Sequence, residues 1–265
     1  MHGSSIIKIL ANDLRLALIL VQIRSMAHCR IYTAASLSPQ TSVKLSDDTA
    51  HYLRMVMRLQ VGDALTIFNG MGGEYQATIE ELSRQQSSCQ VKSFHDVNRE
   101  LTLPIHIIQC ANKSEKIETV LQKGTELGAA SFQITNSQRS GLKLSGPKLE
   151  KRLERWQRII IEAAEQSERT AIPSLVWQPS LAQVQCHGMG LTLHPHQAQP
   201  WTSTRADILQ AQAITYAVGP EGGWSPMDLS TLEQAGFSNM TFGSRIMRTE
   251  TAAPALLAAT QAILN

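Results

Sequence analysis

The chain has 265 residues, 43% of them hydrophobic and 5% aromatic, with a formal net charge of +2. That length allows one large or two ordinary domains, each with its own core, and the near-neutral charge excludes a uniformly basic, nucleic-acid-coating protein. Cys29, Cys89, Cys110 and Cys186 form no CxxC pair and no metal-ligand spacing, so they read as small apolar residues of a reducing cytoplasm.

Leu16 to Ile23 is a run of eight, apolar except for Gln22, too short to span a bilayer and without a clean cleavage site. Residues 1–26 are therefore expected to be an extension outside the fold, with a signal peptide as the other reading. Residues 27–100 read as a small β domain. Arg30 to Thr33, Ser42 to Leu45, Ala64 to Asn69, Glu74 to Glu80 and Ser88 to Phe94 are short alternating or β-rich runs, and Gly70, Gly72 and Gly73 supply a turn. One helix is predicted from Asp47 to Arg58. Five strands closing on one another would remove exposed edges, which makes a small barrel the natural architecture.

From Leu103 the rhythm changes to strand–helix alternation. Ile105 to Cys110 and Ser131 to Thr135 read as strands, with a helix from Ser114 to Leu127 between them. A long helix follows from Gly146 to Glu168. Ser174 to Trp177, Gly190 to His194, Ala213 to Val218 and Asn239 to Phe242 are later strands. Ser225 is an N-cap with Pro226 at N1 and Asp228 in the first turn. The last helix is predicted from Thr251 to Leu264, with Pro254 tolerated in its first turn. This alternation argues a parallel α/β sheet covered on both faces, over residues 101–265.

Lys and Arg outnumber Asp and Glu by 11 to 8 over residues 101–170, and fall behind by 3 to 5 over 171–265. On the long helix Leu149, Leu153, Trp156, Ile160 and Ala163 form one apolar stripe. Lys148, Lys151, Arg152, Arg155 and Arg158 form a neighbouring basic arc, which is either a solvated face or a phosphate-contacting ridge.

Two glycine turns concentrate the chemistry. Ala217-Val-Gly-Pro-Glu-Gly-Gly-Trp-Ser225 and Phe242-Gly-Ser-Arg-Ile-Met-Arg-Thr-Glu-Thr-Ala252 each follow a strand and lead into a helix. Glycines let backbone approach a ligand, and a helix start offers unpaired N–H groups. No GxGxxG follows the first strand and no GxxxxGK[ST] occurs, so the dinucleotide and P-loop readings fail on spacing. Glu221, Arg248 and Glu250 are the charged side chains of this pocket. His194-Pro-His196 lacks the neighbours of a metal site, and no metal is expected.

These two motifs resemble the RsmE-type 16S ribosomal RNA uridine-N3 methyltransferases of the SPOUT superfamily. The resemblance also takes in His51 to Arg58, Asn69 to Tyr75, Lys113 to Gly128, Ser137-Gln-Arg139-Ser and Trp156 to Gln166, and so covers residues 27–265. Trp224 stands where the family usually has Phe, and Met57 and Met247 where it usually has Leu. The first strand, with Arg30 alone, is poorer in basic residues than the family leads one to expect.

The resemblance implies a C-terminal trefoil-knotted parallel-sheet domain behind a PUA-like RNA-binding barrel. It implies a homodimer without membrane attachment that acts on 16S ribosomal RNA within the small subunit. S-adenosylmethionine is the expected cofactor, held by Leu193 and His194, by Gly219, Pro220, Glu221 and Gly222, and by Phe242, Gly243, Ile246 and Met247. Arg30, Arg54, Arg58, Arg139, Arg152 and Arg155 are the expected RNA contacts, with solvated helix charge as the other reading for Arg54 and Arg58. Methylation at uridine N3 requires its proton to leave, through a general base or a cation that stabilises the anion. Arg248 is the candidate cation, or else a phosphate ligand. Glu221 and Glu250 are candidate bases, with Glu250 alternatively serving only the helix start. Another RNA substrate, transfer RNA or 23S ribosomal RNA, and a catalytically silent assembly factor are the competing functions.

Overall fold

The computed structural model describes residues 29–264 apart from 112, 143, 196 and 197. The expected extension 1–26, its apolar run and His196 lie outside the described residues. The chain divides into two compact units. One takes Gly73–Asp96 with the described residues up to Asn69, the other Gly70–Gly72 with everything from Val97 onward.

The first unit is a five-stranded sheet of β1 (Arg30–Tyr32), β2 (Ser42–Lys44), β3 (Ala64–Phe68), β4 (Glu74–Leu82) and β5 (Ser87–His95), in the order β1-β3-β4-β5-β2. Alternation sends Leu65 and Ile67 of β3, Ala77 and Ile79 of β4, and Cys89 and Val91 of β5 into one core. Register shifts at Gln76/Ala77 and Ile79/Glu81 bend the long β4–β5 pair. All five expected strands form. Among the described residues no ladder joins β1 to β2, so the sheet is open where closure was expected. Both edge strands are only three residues long, which leaves little unpaired backbone for a stray partner.

The helix of this unit is shorter than predicted. Ser46 caps α1 (Asp47–His51) by accepting from the Thr49 N–H, and the chain then widens into a π-helical turn over Tyr52–Val56. That turn buries Leu53 completely and leaves Tyr52, Met55 and Val56 exposed. Arg58 follows the helix in a left-handed conformation at φ 55°. Arg54 and Arg58 therefore do not share a helix face, as one continuous helix from Asp47 to Arg58 would have placed them.

The second unit runs β6 (Ile105–Cys110), α2 (Ser114–Glu126), β7 (Ser131–Thr135), α3 (Gly146–Gln166), β8 (Ser174–Gln178), β9 (Met189–Leu193), β10 (Gln199–Pro200), α4 (Arg205–Gln210), β11 (Ile214–Val218), α5 (Pro226–Gln234), β12 (Phe237–Thr241) and α6 (Thr249–Leu264). Its seven strands pair in the order β10-β12-β9-β11-β6-β7-β8, and every ladder is parallel. Both faces are covered, as a parallel sheet requires. Ile105 and Ile107 pack on one side with Phe132, Tyr216 and Leu256. Ile108 and Cys110 pack on the other with Leu232 and Phe237. Burial pushes the Cys110 thiol up to about 12, so it behaves as an apolar side chain.

Two details depart from the sequence reading. β10 and α4 carry too little periodicity to be predicted. α6 begins two residues early, because the Arg248 carbonyl accepts from the N–H groups of both Thr251 and Ala252. Pro254 thus sits inside the helix rather than in its first turn. The consequence for function lies in the shared direction of the strands. β6, β9, β11 and β12 are parallel, so the loops after Cys110, Leu193, Val218 and Thr241 all leave from one end of the sheet. In open α/β sheets that carboxyl end is where ligands bind.

Candidate functional site

Three of those loops line one cleft of about 630 Å³, together with Lys116 of α2. The β9 loop contributes Leu193 and His194. The β11 loop contributes Gly219, Pro220, Glu221 and Gly222. The β12 loop contributes Phe242, Gly243, Ile246, Met247 and Arg248. Each residue expected to hold a cofactor is thus gathered at one place. The cleft pairs an apolar lining with converging backbone, the usual make-up of a small-molecule site.

Side chains tie these loops to one another. Trp224 is buried, and its indole N–H donates to the Leu193 carbonyl at 3.0 Å, which ties the first loop to the second. A Cβ on Gly219 would meet that indole ring at 3.0 Å, so glycine is what lets Trp224 close the gap. At Gly222 a Cβ would meet Arg139 at 3.3 Å. The glycine there makes room for Arg139, where the sequence reading assigned the room to a ligand. Ser225 and Asp228 form a reciprocal capping box at the start of α5, and Asp228 Oδ1 also accepts from the Gln138 N–H.

The two candidate bases share one cation. Lys116 Nζ contacts Glu221 Oε1 and lies 3.1 Å from Glu250 Oε2. Hydrogen bonds to Glu221 and then to Glu250 raise the Lys116 ammonium above its ordinary range. Burial pushes the Glu250 carboxyl up, but its own backbone N–H, Lys116 and the Arg248 charge outweigh burial and hold it below the ordinary value. Glu250 also sits in the first turn of α6, the position that favours a carboxylate. Arg248 is exposed on the cleft wall. The resemblance takes in the segment Lys113 to Gly128 but does not single out Lys116. The available signal was a lysine three residues into the helix that follows a parallel strand.

The expected RNA contacts fare differently from one another. Arg30 is buried, its Nε 3.2 Å from Glu74 Oε2 and its guanidinium carbon 3.7 Å from the centroid of the Phe68 ring. It is a strut of the β sheet. Arg54 donates to the Ser83 carbonyl at 3.0 Å, and Arg58 is exposed. Arg139 donates to the carbonyls of Gly222 and Trp224 at 2.9 and 3.3 Å, so it holds the second loop. Arg152 and Arg155 both turn to Glu118 of α2, with Arg155 bidentate at 2.9 and 2.7 Å. The hydrogen bonds from Arg155 come first among the causes that hold the Glu118 carboxyl below its ordinary range. Two of the five cations of the basic arc thus staple α3 to α2. Among the described residues no helix is long and apolar enough to cross a membrane, and no cluster of three or more metal-binding side chains occurs.

Comparison with known proteins fits this arrangement. A family profile described as an RNA methyltransferase domain matches residues 99–261, and one described as an RNA methyltransferase PUA domain matches residues 45–92. The protein therefore belongs to the RNA methyltransferases that join a PUA-type unit to a parallel-sheet unit. The chain is 33% identical over 243 residues to the ribosomal RNA small subunit methyltransferase E of Synechocystis, covering 89% of this chain and 78% of that protein. It is 28% identical to the enzyme of the same name from Bacillus subtilis, covering 83% and 90%. A solved methyltransferase of Legionella pneumophila with bound S-adenosylmethionine matches with a TM-score of 0.83 at 33% identity, covering 89% of this chain and 98% of that one. The small subunit methyltransferase E of Neisseria gonorrhoeae, also solved with S-adenosylmethionine, matches at 0.80 and 30% identity over the same shares. Within the RNA methyltransferases, the chain belongs to the ribosomal RNA small subunit methyltransferase E family.

Proposed function

We propose that this protein transfers a methyl group from S-adenosylmethionine to N3 of one uridine in 16S ribosomal RNA. The observation that carries the reading is the convergence of three loops of a parallel sheet on one cleft whose charged wall is Lys116, Glu221, Arg245 and Arg248, with Glu250 paired to Lys116 beside it. The residues present suit the cofactor. Phe242, Ile246 and Met247 offer apolar surface, while the Leu193 and Gly219 segments bring main chain to the same space. When bound, S-adenosylmethionine supplies a methyl group on a positively charged sulfur.

The protein's own contribution is positioning and electrostatics. Arg248 faces the developing negative charge of the deprotonated uridine. Glu250, held below the ordinary carboxylate range, is a weak base and anchors Lys116. Glu221 is the more exposed carboxylate, with a side chain 49% accessible, and passes the N3 proton to solvent. Arg58 and Arg54 contact RNA phosphate from the first unit.

The same reading assigns residues 27–100 to RNA grip and 101–265 to methyl transfer. It includes a trefoil knot in the second unit, supported by β9 lying between β11 and β12 in the sheet. It further includes a homodimer, a cytoplasmic location and a small-subunit substrate. Sedimentation of the purified protein tests the dimer. Mass mapping of ribosomal RNA from a deletion strain tests the activity. Loss of one methylated uridine in 16S RNA is the expected result. An unchanged 16S map with a lost methyl group in transfer or 23S RNA would redirect the substrate, and no change in any RNA would refute methyl transfer.

A further inference from the structure

We propose that Gln109, which lies outside the cleft, is a positioning residue that sets the Gly219 peptide through the hydroxyl of Thr249. Gln109 is 1% exposed on β6, directly beside Val218 in the β11 ladder, and Val218 is the residue before Gly219. Its Nε2 donates to Thr249 Oγ1 at 2.8 Å and to the Cys110 carbonyl at 3.2 Å. Thr249 Oγ1 in turn donates to the Gly219 carbonyl at 2.8 Å.

The direction of this relay is fixed by its ends. Both Cys110 and Gly219 present carbonyl oxygens, which only accept. The amide NH₂ of Gln109 must therefore face Thr249, and the single hydroxyl proton of Thr249 is left for Gly219. One buried side chain thus joins three elements that meet at the cleft: the end of β6, the first residue of α6 and the first glycine of the β11 loop. Gly219 and Thr249 line the cleft, and Gln109 does not. Without the amide, the Thr249 hydroxyl is free to rotate toward another acceptor and the Gly219 peptide loses its fixed orientation.

The inference rests on the reading of the cleft as the S-adenosylmethionine site. The test is calorimetric titration of S-adenosylmethionine into the full-length wild type, Gln109→Met, Gln109→Asn, Thr249→Val, Thr249→Ser and the Gln109→Met/Thr249→Val pair, each first melted without ligand to establish folding. The methionine is isosteric and lacks the donor, while the asparagine stops short of the hydroxyl. Loss of the relay bond is expected to weaken binding about tenfold in Gln109→Met, Gln109→Asn and Thr249→Val. The double variant should be no weaker than Thr249→Val alone, since the glutamine acts through that hydroxyl, and Thr249→Ser should bind as wild type. Wild-type affinity in a folded Gln109 variant, or additive losses in the double variant, would overturn the relay. A wild type that binds no S-adenosylmethionine sinks the cofactor reading itself, and the relay with it.

Discussion

Arg139 separates two accounts of the same residue, RNA ligand and loop holder. Its Nη1 donates to the carbonyls of Gly222 and Trp224, at 2.9 and 3.3 Å. Hydrogen bonds from a charged donor contribute about 1.5–3 kcal/mol when well shielded. Arg139 is exposed and the second bond is long, so about 1 kcal/mol for each is the reasonable figure after solvent screening. Arg139→Met would then take about 2 kcal/mol from the ordered loop, a ceiling of roughly 30-fold in the apparent Kd for S-adenosylmethionine. The expected loss is about tenfold, because the capping box at Ser225 still holds the far end of the loop. Arg139→Lys sharpens the test. It keeps the charge that RNA would feel but replaces the fixed planar Nη1 donor, which reaches both carbonyls, with a rotating ammonium on a shorter side chain. Calorimetry without any RNA reads the effect. Wild-type cofactor affinity in Arg139→Met, with weakened RNA binding, would refute the loop-holding account.

Three further outcomes follow from the geometry. Arg248→Ala should reduce methyl transfer by orders of magnitude while cofactor affinity changes little; a collapse of affinity in calorimetry would make Arg248 structural. Lys116→Gln removes the cation shared by Glu221 and Glu250, so the Glu250 carboxyl rises, which a carboxyl NMR titration of wild type and variant reads; an unmoved Glu250 titration would mean that Lys116 does not hold it. Burial first, and the His187 charge second, hold the His106 imidazole below its ordinary value of 6.5. The unfolded chain then binds the proton first as pH falls, so stability declines below about pH 6.5, and His106→Asn should flatten the difference between melts at pH 7.5 and 5.5.

What the sequence makes legible is what depends on local order along the chain. The apolar runs at Ile105 to Cys110 and Ala213 to Val218, and the two glycine turns, mark strand ends where a ligand must sit, and the structure brings those turns together. Charge is legible as a count and not as a partnership. Arg30 and Glu74 lie 44 residues apart, and Arg155 and Glu118 lie 37 apart, so nothing in spacing foretells that these arginines are engaged. Lys116 escapes notice for the same reason, since its meaning comes from Glu221 and Glu250 more than a hundred residues away. The π-helical turn at Tyr52–Val56 is hidden in another way. It differs from an α-helix by one residue per turn, a change that hydrophobic periodicity over five residues does not resolve.

The cleft also divides labour between main chain and side chain in a way that bears on which substitutions it tolerates. Three of the five residues of the Gly219–Gly223 turn are glycines, which offer the cleft only backbone, whose chemistry a mutation cannot alter. The side chains that set that backbone, Trp224 and Thr249 within the cleft and Arg139 and Gln109 outside it, act through the Leu193, Gly222 and Gly219 carbonyls and Trp224's own. Each spends its donor on a carbonyl or on the hydroxyl that reaches one. A substitution that keeps volume but removes a donor therefore leaves the core packed while the loop loses its reference. Such variants should melt near the wild-type temperature and still bind cofactor poorly, which is the reverse of what a cavity in the hydrophobic core around Ile107 and Tyr216 would do.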